Sequence, residues 1–179
     1  LEALKSLPSY IERNCDGKIH TEAKVHPTAI IEGNVSIGRG TVVGPYAVIE
    51  GTTIIGENCQ IQTHAHIRPN VLVGDYTRVG NFSEVVQSIL IGGIGSSKKE
   101  MTHFAHFNYV GYSIIGKSVV LGARVTTSAL RADWKPVTLK IGPENKYETG
   151  LPQLGAIVGD NVQVGCHTLL NPGSLIGKD

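Results

Sequence analysis

The sequence predicts an all-β fold in which short parallel strands wind into a single-stranded solenoid. Three observations support this prediction. An aliphatic side chain returns every six residues, a small or β-branched one follows four residues later, and glycine often comes directly after the aliphatic position. A period of six contains three strand alternations and does not match the 3.6 residues of a helical turn. Three units would close one triangular coil, with successive coils about 4.8 Å apart.

The aliphatic series runs without a gap through the first half of the chain. Its members are Val25, Ile31, Ile37, Val43, Ile49, Ile55, Ile61, Ile67, Val73, Val79, Val85 and Ile91. The small series is Ala29, Val35, Thr41, Ala47, Thr53, Cys59, Ala65, Val71, Thr77 and Ser83, which predicts a tapering interior. Glycines at 38, 44, 56, 74 and 80 mark sharp corners. The repeat resumes near Val110, Ile115 and Leu121 with one shortened unit, and again at Val158, Val164, Leu170 and Ile176.

Two segments interrupt the repeat, residues 92–104 and residues 127–155. Insertions in solenoids become loops on one face, which is often the binding face. The second segment contains Trp134 and a strand-like "VTLKI". Residues 2–13 predict a short helix that Pro8 breaks and that covers the bare edge of the first coil. We therefore expect an N-terminal helical cap at 1–20 and a β-helix domain at 21–179.

Composition excludes several classes of function. The 16 basic and 15 acidic residues are spread along the 179-residue chain and give a net charge of +1, which predicts no nucleic-acid partner and no anionic membrane partner. Cys15, Cys59 and Cys166 are far apart, which disfavours a disulfide framework and a zinc knuckle. A reducing cytoplasm is the expected location. The opening segment has no apolar core typical of a signal peptide or anchor.

Three stretches carry a resemblance to a known family: "IRPNVLVGDYTRVGNFSEV" (67–85), "HFNYVGYSIIGKSVVLGA" (106–123) and "LGAIVGDNVQVGCHTLLNPGSLIG" (154–177). With them, the chain from 25 to 179 resembles the left-handed β-helix hexapeptide-repeat acyltransferases. It is most similar to the acetyltransferase domain of bifunctional UDP-N-acetylglucosamine pyrophosphorylase/glucosamine-1-phosphate acetyltransferase, and to the carboxy-terminal domains of related sugar-1-phosphate nucleotidyltransferases. The resemblance implies a left-handed coil, acetyl-CoA as co-substrate, and a sugar phosphate or nucleotide sugar as the small-molecule partner.

A homotrimer is the expected assembly. The core of such a coil is thin, and ordering the backbone costs on the order of 1–2 kcal/mol per residue, so a single chain keeps little surplus stability. Association along a flat face would bury more apolar area. Relatives with this repeat are commonly homotrimers, which is what the resemblance implies here.

The resemblance also implies roles for five residues. Residue by residue, it gives a catalytic base, a glutamate beside the base, a phosphate-binding arginine, a sugar-phosphate-binding tyrosine and a lysine on the cofactor side of the loop: His106, Glu84, Arg68, Tyr109 and Lys135. Histidine, with an ordinary pKa near 6.5, accepts a proton at neutral pH, as attack on a thioester requires. Glu84 would fix the tautomer of the base. Arg68 offers a fork of donors suited to phosphate.

Other positions depart from the family. Val86 stands where a phosphate-site lysine is expected, and Val120 and Ala129 stand where asparagines hold the amino sugar. Arg124 replaces a glycine, since "GARV" stands for the family's "GAGT". These departures imply that the acceptor is not glucosamine-1-phosphate bound in the usual way.

Each role has a plainer alternative. A histidine beside a loop is more often a surface or interface residue, and for His103 a structural role is the better interpretation. Arg68 at a corner is usually solvated, and Tyr109 packs equally well on a loop.

Two other functions stay open. A non-catalytic domain would assemble or regulate a sugar-1-phosphate nucleotidyltransferase, or bind a nucleotide sugar without turnover. A zinc enzyme that hydrates carbon dioxide would use histidines, of which the candidates are His64, His66, His103, His106 and His167. The HxxxxH spacing of that family is lacking here, where the pairs read HxH and HxxH.

Overall fold

The computed structural model describes residues 1–142 and 144–178, and within them the chain is a left-handed parallel β-helix. The predicted fold class is confirmed. The described part contains the helix α1 (Glu2–Asn14) and short strands throughout. The strands are β1 (Lys24–Val25), β2 (Ile30–Glu32), β3 (Val35–Ile37), β4 (Val42–Val43), β5 (Val48–Glu50), β6 (Thr53–Ile55), β7 (Gln60–Ile61), β8 (His66–Ile67), β9 (Val71–Val73), β10 (Thr77–Asn81), β11 (Glu84–Val86), β12 (Ile89–Gly92), β13 (Thr102–His106), β14 (Tyr109–Gly111), β15 (Ile114–Lys117), β16 (Val120–Leu121), β17 (Thr126–Thr127), β18 (Thr138–Ile141), β19 (Asn145–Glu148), β20 (Ile157–Val158), β21 (Gln163–Val164), β22 (Leu169–Leu170) and β23 (Leu175–Ile176).

Three parallel sheets of seven strands form the sides of the coil. The first sheet has the order β1-β4-β7-β10-β13-β16-β21, the second β2-β5-β8-β11-β14-β17-β22, and the third β3-β6-β9-β12-β15-β20-β23. Val43 pairs with Ile61, and Ile61 pairs with Val79, so that equivalent positions stack on successive coils. The two remaining strands, β18 and β19, form an antiparallel hairpin.

The two residue series fill the interior as predicted. From Ile37 to Val85, no member of the aliphatic series is more than 2% exposed. The small series from Thr41 to Ser83 is fully buried. Full burial of a valine or isoleucine side chain stabilises the fold by about 1.5–3 kcal/mol. The interior column is therefore the main source of stability, and the loops and outer faces are free to carry function.

The prediction that Ile91 points inward is wrong. Leu90 is fully buried, whereas Ile91 is 43% exposed. The reason is a corner one residue shorter than the others, since Val85 and Leu90 are both core residues five positions apart. Buried Ser88 closes this corner, because its hydroxyl donates to the carbonyl of Val86 at 2.8 Å. The same shortening recurs one coil later, between Val110 and Ile115, which is the shortened unit that the sequence predicted.

The first insertion is shorter than predicted. The prediction of a loop over 92–104 is wrong at both ends, because β12 includes Gly92 and β13 begins at Thr102. Phe104 lies in β13, is fully buried and pairs with Val79 and Leu121 on the adjacent coils. Phe104 occupies an interior position where the repeat has an aliphatic residue, so the aliphatic pattern did not predict this strand.

The helix lies against the outer face of the third sheet, not over the end of the first coil. Its apolar side packs on outward residues of that sheet and on the second insertion; the cluster contains Leu4, Leu7, Ile11, Ile54, Leu72, Ile89, Ile114, Val137, Leu139 and Leu154. The predicted break at Pro8 is also wrong, since α1 continues through it. A proline inside a helix costs about 3 kcal/mol, and buried Leu7 and Ile11 on either side of it supply tertiary packing that offsets this cost.

The second insertion contributes the hairpin, which confirms the strand-like character of "VTLKI". Val137 is fully buried and Leu139 nearly so, and both pack with the helix against the third sheet. The third sheet is thus covered, while the first and second sheets present their outer faces. The candidate site residues on the coil lie on these two faces and on the corner that joins them.

Candidate functional site

His106 lies where the first sheet turns into the second. It is the last residue of β13, pairs with Asn81 on the preceding coil, and is exposed. Its imidazole meets the ring of Phe107 edge-on, with 5.7 Å between centroids and 80° between planes. Its carbonyl oxygen accepts a hydrogen bond of 3.0 Å from the backbone N–H of Arg124. Among the described residues, no hydrogen bond involves the imidazole, so both ring nitrogens are open to a ligand.

Arg68, Glu84 and Tyr109 come together on the outer face of the second sheet. Arg68 Nη1 donates to Glu84 Oε1 at 2.9 Å, and Glu84 pairs in register with Tyr109 on the next coil. The phenol of Tyr109 lies over Gly111, where any side chain would collide with the ring. Burial, and next the charge of Glu84, raise the pKa of Tyr109, while Arg68 acts in the opposite direction.

The charges of two acidic groups act on Arg68. Glu84 holds it directly, and the charge of Glu50 also acts on it, so that the pKa of the guanidinium is raised, first by the hydrogen bond to Glu84. The Arg68 and Glu84 side chains are 46% and 35% exposed. An ion pair with this exposure contributes at most about 1 kcal/mol to stability. Its larger effect is to neutralise the arginine that the resemblance assigns to phosphate.

Glu84 was expected to orient His106, and the described contacts connect it to Arg68 instead. No hydrogen bond between Glu84 and His106 is present in the described part of the chain. His66, which the sequence did not assign to this cluster, pairs in register with Glu84, and its Nε2 lies 3.2 Å from Glu50 Oε2. That ring nitrogen is buried and makes no hydrogen bond in this arrangement.

The remaining predicted residue lies apart from this group. Lys135 is exposed in the second insertion, where its backbone N–H donates to Asp133 Oδ1 at 3.3 Å, and Arg131 holds the same carboxylate. No described contact joins Lys135 to His106. Of the departures from the family, Val86 is 7% exposed and Ala129 is 6% exposed, while Val120 pairs in register with His103 on the first sheet.

His103 is half-buried on the first sheet, which fits its structural interpretation. Burial, followed by the charges of Arg78 and Lys98, lowers its pKa. The unfolded chain therefore takes up a proton near pH 6.5 that the folded chain resists.

We expect the free energy of unfolding to fall as the pH drops below about 6.5, through the window between the unfolded pKa and the lowered folded pKa of His103. His103→Gln should reduce this dependence. Urea denaturation of both proteins at about pH 7.5 and about pH 5.5 measures the difference. An equal pH dependence in the variant would contradict this account of His103.

Four aromatic rings form a column along the corner between the first and second sheets. Tyr46, His64, Phe82 and Phe107 stack face to face, with 4.9–5.1 Å between centroids and 7–13° between planes. The guanidinium of Arg124 continues the column, 5.6 Å from the Phe107 centroid. The spacing of 46, 64 and 82 equals one 18-residue coil, so the sequence carried a signal for this column that residue-by-residue comparison with a family does not use.

This corner is held in an unusual backbone conformation. The four stacked residues have φ angles of 55–57°. On the next two coils, Arg124 and His167 have φ angles of 61° and 59°. Such left-handed conformations cost roughly 1–2 kcal/mol for residues with a Cβ. Aromatic stacking contributes about 0.5–1.5 kcal/mol per pair and offsets part of that cost.

The described part of the chain has three free thiols. Cys15 and Cys59 are buried and Cys166 is exposed, and none forms a disulfide. Burial raises the pKa of Cys59 to about 11. Across residues 1–142 and 144–178, no group of three or more histidine, cysteine, aspartate or glutamate side chains is arranged to hold a metal ion within one chain.

The one described helix is too short and too polar to cross a membrane.

Six-residue units wound into three parallel sheets define a left-handed β-helix of the hexapeptide-repeat type, and comparison with known proteins confirms the predicted resemblance to the acyltransferases built on it. Residues 14–102 match the family model described as the GMPPB C-terminal domain. The bifunctional protein GlmU of Methanococcus maripaludis is 41% identical over 85 residues, which are 48% of this chain and 20% of that protein. The uncharacterized acetyltransferase YaiX of Escherichia coli is 31% identical over 71 residues, 40% of this chain and 30% of that protein.

The matched segment thus spans about a fifth of the GlmU relative and less than a third of YaiX. Among solved structures, a hexapeptide transferase family protein from Anaplasma phagocytophilum has a TM-score of 0.45 and 14% identity, over 90% of this chain and 69% of that one.

Proposed function

We propose that this chain is an acyltransferase domain that transfers an acetyl group from acetyl-CoA to a sugar phosphate or nucleotide sugar, with His106 as general base. Its proposed form is a cytoplasmic homotrimer. Arg68 and Tyr109 are proposed to bind the sugar part of the acceptor, Glu84 to position the Arg68 guanidinium through their hydrogen bond, and Lys135 to contact CoA.

The observation that supports this function most is the placement of His106. An exposed imidazole without a competing hydrogen bond among the described residues stands at the corner between the first and second sheets, three residues before Tyr109 of the Arg68–Glu84–Tyr109 cluster. A general base must be able to reach the proton it removes, and this ring has no protein partner to give up first. The similarity of the chain to segments of proteins named GlmU and YaiX agrees with this class of reaction.

The proposed reaction balances without any further reactant. A hydroxyl or amine of the acceptor loses its proton to a ring nitrogen of His106 as its oxygen or nitrogen attacks the thioester carbonyl. The tetrahedral intermediate collapses with cleavage of the C–S bond. The CoA thiolate leaves and takes the proton from the imidazolium, which restores the neutral base.

A second candidate is a binding or assembly domain of a sugar-1-phosphate nucleotidyltransferase. It is favoured by the Arg68–Glu84 ion pair, which occupies the arginine expected to bind phosphate, and by the match to the GMPPB C-terminal domain model. In this case the chain would bind a nucleotide sugar without consuming acetyl-CoA.

The test is acetyl-CoA consumption with a panel of sugar phosphates and nucleotide sugars. Loss of the thioester is followed by ultraviolet absorbance, because the exposed thiol of Cys166 would react with a thiol reagent and add a background signal. We expect acceptor-dependent consumption with at least one compound. Binding of a nucleotide sugar without any thioester loss would favour the second candidate.

A further inference from the structure

The corner between the first and second sheets carries no acidic residue along its whole length. Its seven segments read HPTA, GPYA, QTHA, GNFS, AHFN, GARV and GCHT. They contain histidines at 26, 64, 106 and 167 and one arginine, Arg124, all of them exposed. None of the 15 acidic residues of the chain lies in these seven segments. An anion on this corner would therefore meet hydrogen-bond donors and the edges of aromatic rings.

Arg124 is the centre of positive charge on this corner. It forms no ion pair among the described residues, in contrast to Arg68 and Arg131, which each hold a carboxylate. Its guanidinium packs on the face of Phe107, and its backbone N–H is fixed to the carbonyl of His106. Packing on an aromatic face restricts the side chain, and because Arg124 is exposed, a ligand in solvent can reach its guanidinium.

The outer face of the second sheet has the opposite character. Arg68 is already hydrogen-bonded to Glu84, and the charge of Glu50 also acts on its guanidinium. The neighbouring position where the resemblance leads us to expect a lysine is Val86, which is almost fully buried. A phosphate bound on this face would have to displace Glu84 and accept the repulsion of Glu50.

We propose that Arg124 is the phosphate-binding residue of this domain, in place of Arg68, and that it receives a phosphoryl or pyrophosphoryl group of the ligand on the corner beside His106. His167 follows Arg124 on the next coil, where its backbone N–H bonds to the carbonyl of Ala123, and its ring provides a second donor. This inference deepens the proposed function and rests on it for the identity of the ligand. The phosphate belongs either to CoA or to the sugar acceptor.

The experiment measures binding by calorimetry to the full chain and three variants. The variants are Arg124→Gln, Arg68→Gln and, as a matched control, Arg39→Gln, an exposed arginine outside this corner. The probes are CoA, pantetheine, which lacks the phosphates, glucosamine-1-phosphate and inorganic pyrophosphate. We expect Arg124→Gln to weaken pyrophosphate and at least one of the two phosphorylated ligands by about tenfold or more, because a charge-assisted hydrogen bond is lost.

The two sources are separated by comparing the ligands. If CoA loses affinity in Arg124→Gln and pantetheine does not, the site receives the phosphates of CoA; if only glucosamine-1-phosphate loses affinity, it receives the acceptor. Unchanged affinity for every phosphate compound in Arg124→Gln, or a loss confined to Arg68→Gln, would overturn the inference. Arg124-dependent binding of a phosphate compound without acyl transfer would contradict the proposed function alone. Acyl transfer together with unchanged binding in Arg124→Gln would contradict this inference alone.

Discussion

His106→Ala should reduce acyl transfer by about 10²–10⁴-fold, the usual effect of losing a general base. The ring is exposed and has no hydrogen bond among the described residues, so its removal costs the fold little. The rate is measured by thioester loss with the acceptor identified in the panel. Size-exclusion chromatography and the urea midpoint should match those of the unaltered chain.

The control for this variant is His20→Ala. His20 is also an exposed histidine, and it precedes β1, outside this corner. We expect this variant to keep its activity within about twofold, since surface substitutions are usually nearly neutral. Full turnover in His106→Ala would exclude the imidazole as the base, whatever the control does.

Phe104→Ala should lower the free energy of unfolding by about 3–5 kcal/mol. The ring is fully buried in the interior column, and its loss leaves a cavity that the stacked coils cannot fill without shifting. Urea denaturation measures the change. This substitution also distinguishes the predicted loop over 92–104 from the observed strand, because a phenylalanine in a loop would cost far less.

Ile94→Ala serves as the control for that measurement. Ile94 lies in the short loop between β12 and β13 and is 69% exposed. Its substitution should change the free energy of unfolding by no more than about 0.5 kcal/mol. A similar small change for Phe104→Ala would mean that the chain near β13 is not part of the core.

The sequence predicted most of the fold because the interior of this coil obeys one strict rule. Each coil repeats the same contacts, so an aliphatic residue such as Ile61 is required by its neighbours above and below. Prediction failed where the rule changes. The shortened corner before Leu90 moved the register by one residue, and the aromatic ring of Phe104 replaced an aliphatic one.

The helix shows a different limit. Its apolar side was visible, but the sequence does not say which surface that side covers. The answer depends on the third sheet and the hairpin, whose outward residues Ile54 and Leu139 belong to segments far apart in the chain. Packing across such distances also holds the helix together through Pro8, which local preference alone does not anticipate.

For the candidate site, the sequence located the segments and not the partners of the side chains. His106 and Tyr109 follow each other closely in the chain, so their common location was predictable. The Arg68–Glu84 ion pair joins residues on adjacent coils and depends on side-chain conformation. The column from Tyr46 to Arg124 depends on corner residues with positive φ angles. No single residue type marks these positions in the sequence.

The most direct test of the central claim is a crystal structure of the chain with CoA. The claim is that the thioester of an acyl donor reaches the exposed imidazole of His106 on the corner between the first and second sheets. We expect the CoA sulfur within contact distance of His106, with the ligand lying along the corner between the first and second sheets. A CoA sulfur bound elsewhere, or His106 enclosed by protein and out of reach of the thiol, would contradict it.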